Sequence, residues 1–228
     1  MSSENITTLF WHPKKQILDY ITNKQLETKG EDNIYELYEH TPHLPISTYQ
    51  TSWNEVTLVD KPYDFFYTYN SLEKIDHLEL YIESVFKNIK RGFICTTSPM
   101  IEVSKDVQPN PLDAHYTGHV LNRFFIWTDK NDNTLHILPK LNVVEYLRID
   151  DTLNKNIVNQ ANNYPFYWNN YYEWDIENHL FPKFKFYHAG KDFSIDGNYH
   201  SIINEALVKS HDNSTEILSK ISNLLNTN

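Results

Sequence analysis

Residues 62–99 read PYDFFYTYNSLEKIDHLELYIESVFKNIKRGFICTTSP, and the hydrophobic period changes twice within them. Tyr63 to Ser71 is a nearly continuous aromatic and apolar run, the composition of a strand buried on both faces. Leu72, Ile75, Leu78, Ile82, Val85, Phe86 and Ile89 then recur at helical spacing, with Asn70 or Ser71 as the candidate N-cap. Gly92 is expected to stop that helix, residues 93–97 to form a second buried strand, and Ser98-Pro99 to turn the chain. Strand, helix and strand with short joints make a βαβ unit, which requires two parallel strands and a right-handed crossover.

Upstream, PKKQILDYITNKQLET at 13–28 has the spacing of a lead-in helix, with Gly30 as its stop. IYELYEHTPHLP at 34–45 alternates as a strand and ends in a Pro-flanked turn. STYQTSW and EVTLVD are short strand candidates. Downstream, NRFFIWTDKNDNTLHILPK reads as a hairpin turning at Lys130 to Asn133. The aromatic and Asn-rich stretch from Asn162 to Gly190 reads as an irregular segment followed by an edge strand. The tail from Ser201 holds two helical stretches, with Ile217, Leu218, Ile221, Leu224 and Leu225 as an apolar stripe. Without repeat or linker, 228 residues are expected to form a single domain: a lead-in helix over 1–33, an α/β core over 34–150, and an aromatic-rich segment with a helical tail over 151–228.

A formal net charge of -10 argues against nucleic acid as a partner, because phosphate recognition relies on a basic surface. The single cysteine, Cys95, excludes an internal disulfide and a multi-cysteine zinc site; inside a buried strand it reads as a small apolar residue. The start, MSSENITTLFWHPKK, lacks the apolar core of a signal peptide, and no run is long enough to span a membrane. A soluble, cytoplasmic protein is expected, and its oligomeric state is not set by the sequence.

Three features of the opening stretch, Tyr63-Asp64, Leu72-Glu73-Lys74-Ile75 and the run from Gly92 to Pro99, resemble the back half of a class I S-adenosylmethionine-dependent methyltransferase. HYTGHVLNRFFIW, LHILPK and YWNNYYEW resemble a bacterial and viral methyltransferase-like subgroup, so that the similarity covers residues 34–175. It implies a reduced Rossmann-like α/β sheet with helices on both faces, an antiparallel hairpin, a C-terminal helical tail, and S-adenosylmethionine as cofactor. It places Glu36, Tyr38 and His40 near the methionine part, Asn70 and Leu72 beside the cofactor, and His115, His119 and Arg123 at the substrate mouth. One of those histidines could take a proton from a substrate hydroxyl. Lys74 stands where the family has His. Glu39, His40, Thr41, Pro42 and His43 stand where it keeps glycines, the residues that let backbone approach the cofactor closely. Between Glu36 and Asp64 there is room for little more than loops and two short strands, with Glu55 or Asp60 available for the ribose. Two functions remain: methyl transfer to a small-molecule or carbohydrate hydroxyl or amine, or a non-catalytic methyltransferase-like scaffold that binds a sugar or a protein partner.

His115 and His119 lie four apart near Asp113, the spacing of a two-histidine metal pair on a helix. Nothing fixes a third ligand among His136, His188 and His200, and no metal is expected. His40 and His43 could pair likewise, or be ordinary loop residues. Tyr164, Phe166, Tyr167, Trp168, Tyr171, Tyr172 and Trp174 could stack on sugars or bases, or form the core of an irregular segment.

Overall fold

The structure, a computed structural model, describes residues 34–38, 49–105, 117–145, 152, 154–157, 159 and 169–226. In chain order the elements are β1 Ile34–Tyr38, β2 Tyr49–Ser52, β3 Tyr63–Tyr69, a 3-10 turn Leu72–Lys74, α1 Leu78–Asn88, β4 Ile89–Thr97, α2 Pro99–Glu102, β5 Phe124–Asp129, β6 Thr134–Pro139, α3 Asn142–Glu145, β7 Asn169–Asp175, β8 Lys183–Phe186 and α4 Tyr199–Asn226. Their contacts divide the chain into two compact units, residues 1–96 with 171–182, and residues 97–170 with 183–228. The expected lead-in helix at 13–28 lies outside the described residues.

The first unit is built on a sheet of order β2-β1-β3-β4-β7, in which β2, β1, β3 and β4 run parallel. Strand β3 pairs with β1 from Phe65 opposite Ile34 to Thr68 opposite Leu37, and with β4 from Tyr63 opposite Ile89 to Tyr69 opposite Cys95. Because side chains alternate across a strand, Phe66 faces one way and Phe65 and Tyr67 the other. Phe66 meets Tyr35, Tyr81 of α1 and Trp174, and Phe86 of α1 stacks on Tyr172. Ile34, Phe65 and Tyr67 form a separate cluster on the opposite face, with Tyr69 and Phe93 packed against it. The β3–α1–β4 segment is thus a βαβ unit, as the change of period requires.

Several boundaries differ from the sequence expectation. The α-helix starts at Leu78, because Leu72–Lys74 closes a 3-10 turn and Ile75 is extended; His77, not Asn70 or Ser71, is its N-cap residue. Ser71 instead donates its hydroxyl to the carbonyl of Tyr69 at 2.8 Å. The helix ends at Asn88, four residues before Gly92, which lies inside β4. Gly92 is needed there because the ring of fully buried Trp174 stands 2.2 Å from where a Cβ would be. Residues 56–60 form no strand: the Val59 N–H donates to Ser84 Oγ at 3.0 Å and its carbonyl accepts from Asn88 at 2.7 Å, tying this segment to α1.

The second unit has a sheet of order β5-β6-β8, with β5 and β6 antiparallel and β6 and β8 parallel. The hairpin turns where the sequence indicates, with Asn133 left-handed at φ 54. Phe125, Trp127 and Leu138 pack with Tyr199, Ile202, Ile203 and Ala206 of α4. The tail is one continuous helix rather than two, and Asn213 inside it donates to the carbonyl of Thr128 at 3.0 Å. The Ser98 and Ser210 hydroxyls share a buried hydrogen bond of 2.7 Å. The expected edge strand is realised twice, as β7 at the edge of the first sheet and β8 at the edge of the second.

Candidate ligand site at the carboxyl ends of the parallel strands

In the first sheet β1 lies between β2 and β3, and the chain passes from β1 to β2 on one side and from β3 to β4 on the other, so the strand order reverses between β1 and β3, and open α/β sheets bind ligands at the carboxyl ends of such strands. Half-buried Tyr38 ends β1, and its carbonyl accepts from the Trp53 N–H just after β2, at 3.1 Å. Asn70 follows β3 in the left-handed conformation, φ 48, a geometry that asparagine tolerates better than most residues. Its N–H donates to the carbonyl of Cys95 at 2.8 Å, tying the ends of β3 and β4 together. Its side-chain oxygen Oδ1 is buried with no hydrogen-bond partner. Lys74 Nζ donates to the Asn70 carbonyl at 2.5 Å, and Glu73 and Lys74 are both buried.

Of the expected cofactor residues, Glu36, Tyr38, Asn70 and Leu72 are described. Glu36 is fully buried on the sheet face away from α1, in mid-strand, where Oε2 accepts from Gln50 at 3.4 Å. Beside it, burial holds the Tyr67 phenol far above its ordinary pKa, with Cys95 and Glu36 adding to the effect. Leu72 is also fully buried, so its contribution at the strand ends is through backbone. His40 lies outside the described residues, as do Thr41 and His43. Cys95 is buried, and burial, reinforced by Glu73, raises its thiol well above the usual range and leaves it inert as a nucleophile. Of the aromatic segment, Tyr172 and Trp174 are core residues, and Tyr164 to Trp168 lie outside the described residues.

A pocket of about 400 Å³ opens between residues 53–58 and 74–77, with Tyr81 of α1 in its wall. Tyr81 is 1% exposed, and its buried hydroxyl is set toward the phenol of Tyr35. Burial raises the pKa of both phenols, that of Tyr35 to about 12, so both keep their protons near neutral pH. Sequence reading missed this pocket because it treated EVTLVD as a strand and started the helix six residues early. The signal available was Lys74, a cation where the resemblance puts an imidazole.

The expected substrate-mouth residues belong to the second unit. His115 and its neighbour Asp113 lie outside the described residues, and Arg123 is exposed. His119 is half-buried in a turn anchored by a buried ion pair, Lys140 Nζ to Glu102 Oε2 at 2.8 Å. Lys140 also donates to the His119 carbonyl at 3.0 Å, and Glu102 accepts from the His119 N–H at 3.3 Å and from Asn122 at 2.7 Å. Gly118 is left-handed at φ 67, and a Cβ there would come within 2.3 Å of the Glu102 carbonyl oxygen. Among the candidate third metal ligands, His136 is buried, with Nδ1 2.9 Å from the Tyr187 hydroxyl. Among the described residues no three His, Cys, Asp or Glu side chains gather in the manner of a metal site, and no helix is long and apolar enough to cross a membrane.

No family model, curated protein or solved structure matches this chain.

Proposed function

We propose that the chain is a methyltransferase-like protein whose first unit binds S-adenosylmethionine at the carboxyl ends of β1 and β3, for transfer of the methyl group to a small-molecule or sugar hydroxyl or amine. One observation carries the reading: the parallel order β2-β1-β3-β4 reverses between β1 and β3, and Asn70, which follows β3, holds a buried amide oxygen without a partner. Such an orphaned acceptor matches a ligand with a charged amino group, which the methionine part of the cofactor carries. The cofactor, when bound, supplies an activated methyl on a sulfonium.

The residues' own work is to bind and orient. Asn70, held left-handed by its N–H to Cys95, would accept from the amino group, and the backbone from Ser71 to Leu72 would form the adjoining wall. Tyr38 would border the cofactor from β1. Methyl transfer depends chiefly on alignment of acceptor and methyl, so no strong base is required.

The test is titration calorimetry with S-adenosylmethionine and S-adenosylhomocysteine on the wild-type chain and on Asn70→Gly. Glycine keeps the left-handed backbone while removing Oδ1, so the fold is retained. Micromolar binding to the wild type, weakened about tenfold or more in the variant, is the expected result. Absence of heat with either compound would leave the non-catalytic scaffold as the function.

A further inference from the structure

We infer that the groove between residues 53–58 and α1 docks a basic amphipathic helix of a partner protein. Docking there requires no sulfonium cofactor, so it stands apart from methyl transfer.

The groove follows from how the chain returns from β2 to β3. Residues 56–60 lie beside α1 instead of pairing with the sheet, held by the Val59 N–H, which donates to Ser84 Oγ, and by the Val59 carbonyl, which accepts from Asn88. Trp53, Val56, Leu58, Ile75 and the Tyr81 ring give the pocket apolar walls, and about 400 Å³ is room for one or two large side chains rather than for a whole element. The apolar surface continues outward from it. Leu58 is 54% exposed just before Val59, and Leu80, 55% exposed, shares a flank of α1 with Ser84, the residue that Val59 bonds. A pocket for one anchor with apolar side chains beside it matches a helix whose apolar residues recur every three or four positions. Charge then selects the partner. Segment 53–61 carries Glu55 and Asp60 against Lys61, and residues 76–88 carry Asp76, Glu79 and Glu83 against Lys87, so the rim is acidic in a chain of net charge -10. Lys74 also lines the pocket, where its ammonium donates to the Asn70 carbonyl. A basic helix complements that rim, whereas a second copy of the chain would set the same carboxylates against one another and an anionic membrane would be repelled.

The test is fluorescence anisotropy of a fluorescein-labelled leucine–lysine peptide of about 14 residues, four turns patterned as an amphipathic helix, titrated with the full chain. One control peptide has the same composition in scrambled order, and another has glutamate in place of lysine. The amphipathic basic peptide should bind with Kd tighter than about 100 μM, and each control at least about tenfold more weakly. Leu58→Ser combined with Leu80→Ser should weaken binding about tenfold. Glu55→Gln combined with Glu83→Gln should weaken it about three- to tenfold and make it less sensitive to salt. Ile195→Ser, at an equally exposed apolar position of the second unit, should leave it unchanged. Each of these side chains is exposed, so the variants retain the fold. No binding, equal binding of the scrambled peptide, or binding that either double variant leaves unaltered would overturn the inference. So would sedimentation showing a wild-type dimer that the double leucine variant dissociates, because a second copy would then cover the face.

Discussion

In the first unit, the Asn70 amide oxygen, just past the carboxyl end of β3, is buried and meets no hydrogen-bond partner. In the second, the Glu102 carboxylate takes donors from Lys140, Asn122 and the His119 backbone, and Lys140 donates in turn to the His119 carbonyl. An unmatched buried polar group is costly, so groups that stay unmatched beside a pocket mark capacity to bind, and groups that saturate one another mark framework. The second unit has open atoms too, Trp127 Nε1 in its core and Asn122 Oδ1 in the network itself. Neither follows a parallel strand in left-handed backbone, as Asn70 does.

The comparison breaks most readily at Lys140. Its side chain is fully buried, so Lys140→Met leaves Glu102 as an uncompensated buried charge and should cost about 3–5 kcal/mol in urea unfolding. Adding Glu102→Gln should return part of that loss; a double variant as unstable as the sum of the singles would show that the pair does not act as a unit. In the first unit the largest packing effect is expected at Gly92, where a methyl group meets the Trp174 ring. Gly92→Ala should cost about 1–3 kcal/mol by the same measurement, and a neutral result would place the indole elsewhere.

A smaller, graded effect is expected from pH. Burial lowers the pKa of His136, which the charges of Glu205, Asp129 and Asp132 oppose and that of Lys185 reinforces. The unfolded chain therefore binds the proton first as pH falls below about 6.5, so the stability due to neutral His136 is present above that pH and declines toward the folded pKa. His136→Gln should flatten the decline in urea stability between pH 7.5 and 5.5, and an unchanged slope would assign the decline to another group. Smallest of all is Tyr81→Phe in the absence of ligand. The hydroxyl faces the Tyr35 phenol, so its removal should cost no more than about 1 kcal/mol, and a larger loss would show that the two phenols hold each other more tightly.

Where one physical signal dominates, the sequence is legible. The aromatic run at 63–69 and the apolar stripe from Leu78 to Val85 announce β3 and α1, and the polar tetrad Lys130 to Asn133 announces the hairpin turn. Legibility fails where long-range packing overrides a local cue. Gly92 looks like a helix stop, yet it lies inside a strand because Trp174, 82 positions along the chain, occupies its Cβ space. Val56 to Asp60 has strand composition, but its backbone hydrogen bonds go to side chains of α1. The candidate site was half visible: Asn70 was marked by its place after a strand, whereas its left-handed backbone and unmatched amide oxygen appear only in the tertiary structure.

The most direct test of the carboxyl-edge site is hydrogen–deuterium exchange of the full chain with and without saturating S-adenosylhomocysteine. Slowed exchange in peptides covering residues 69–77, with no change in the β5–β6 hairpin, is the expected result. Unaltered exchange across 69–77 would contradict a cofactor site at the ends of β1 and β3.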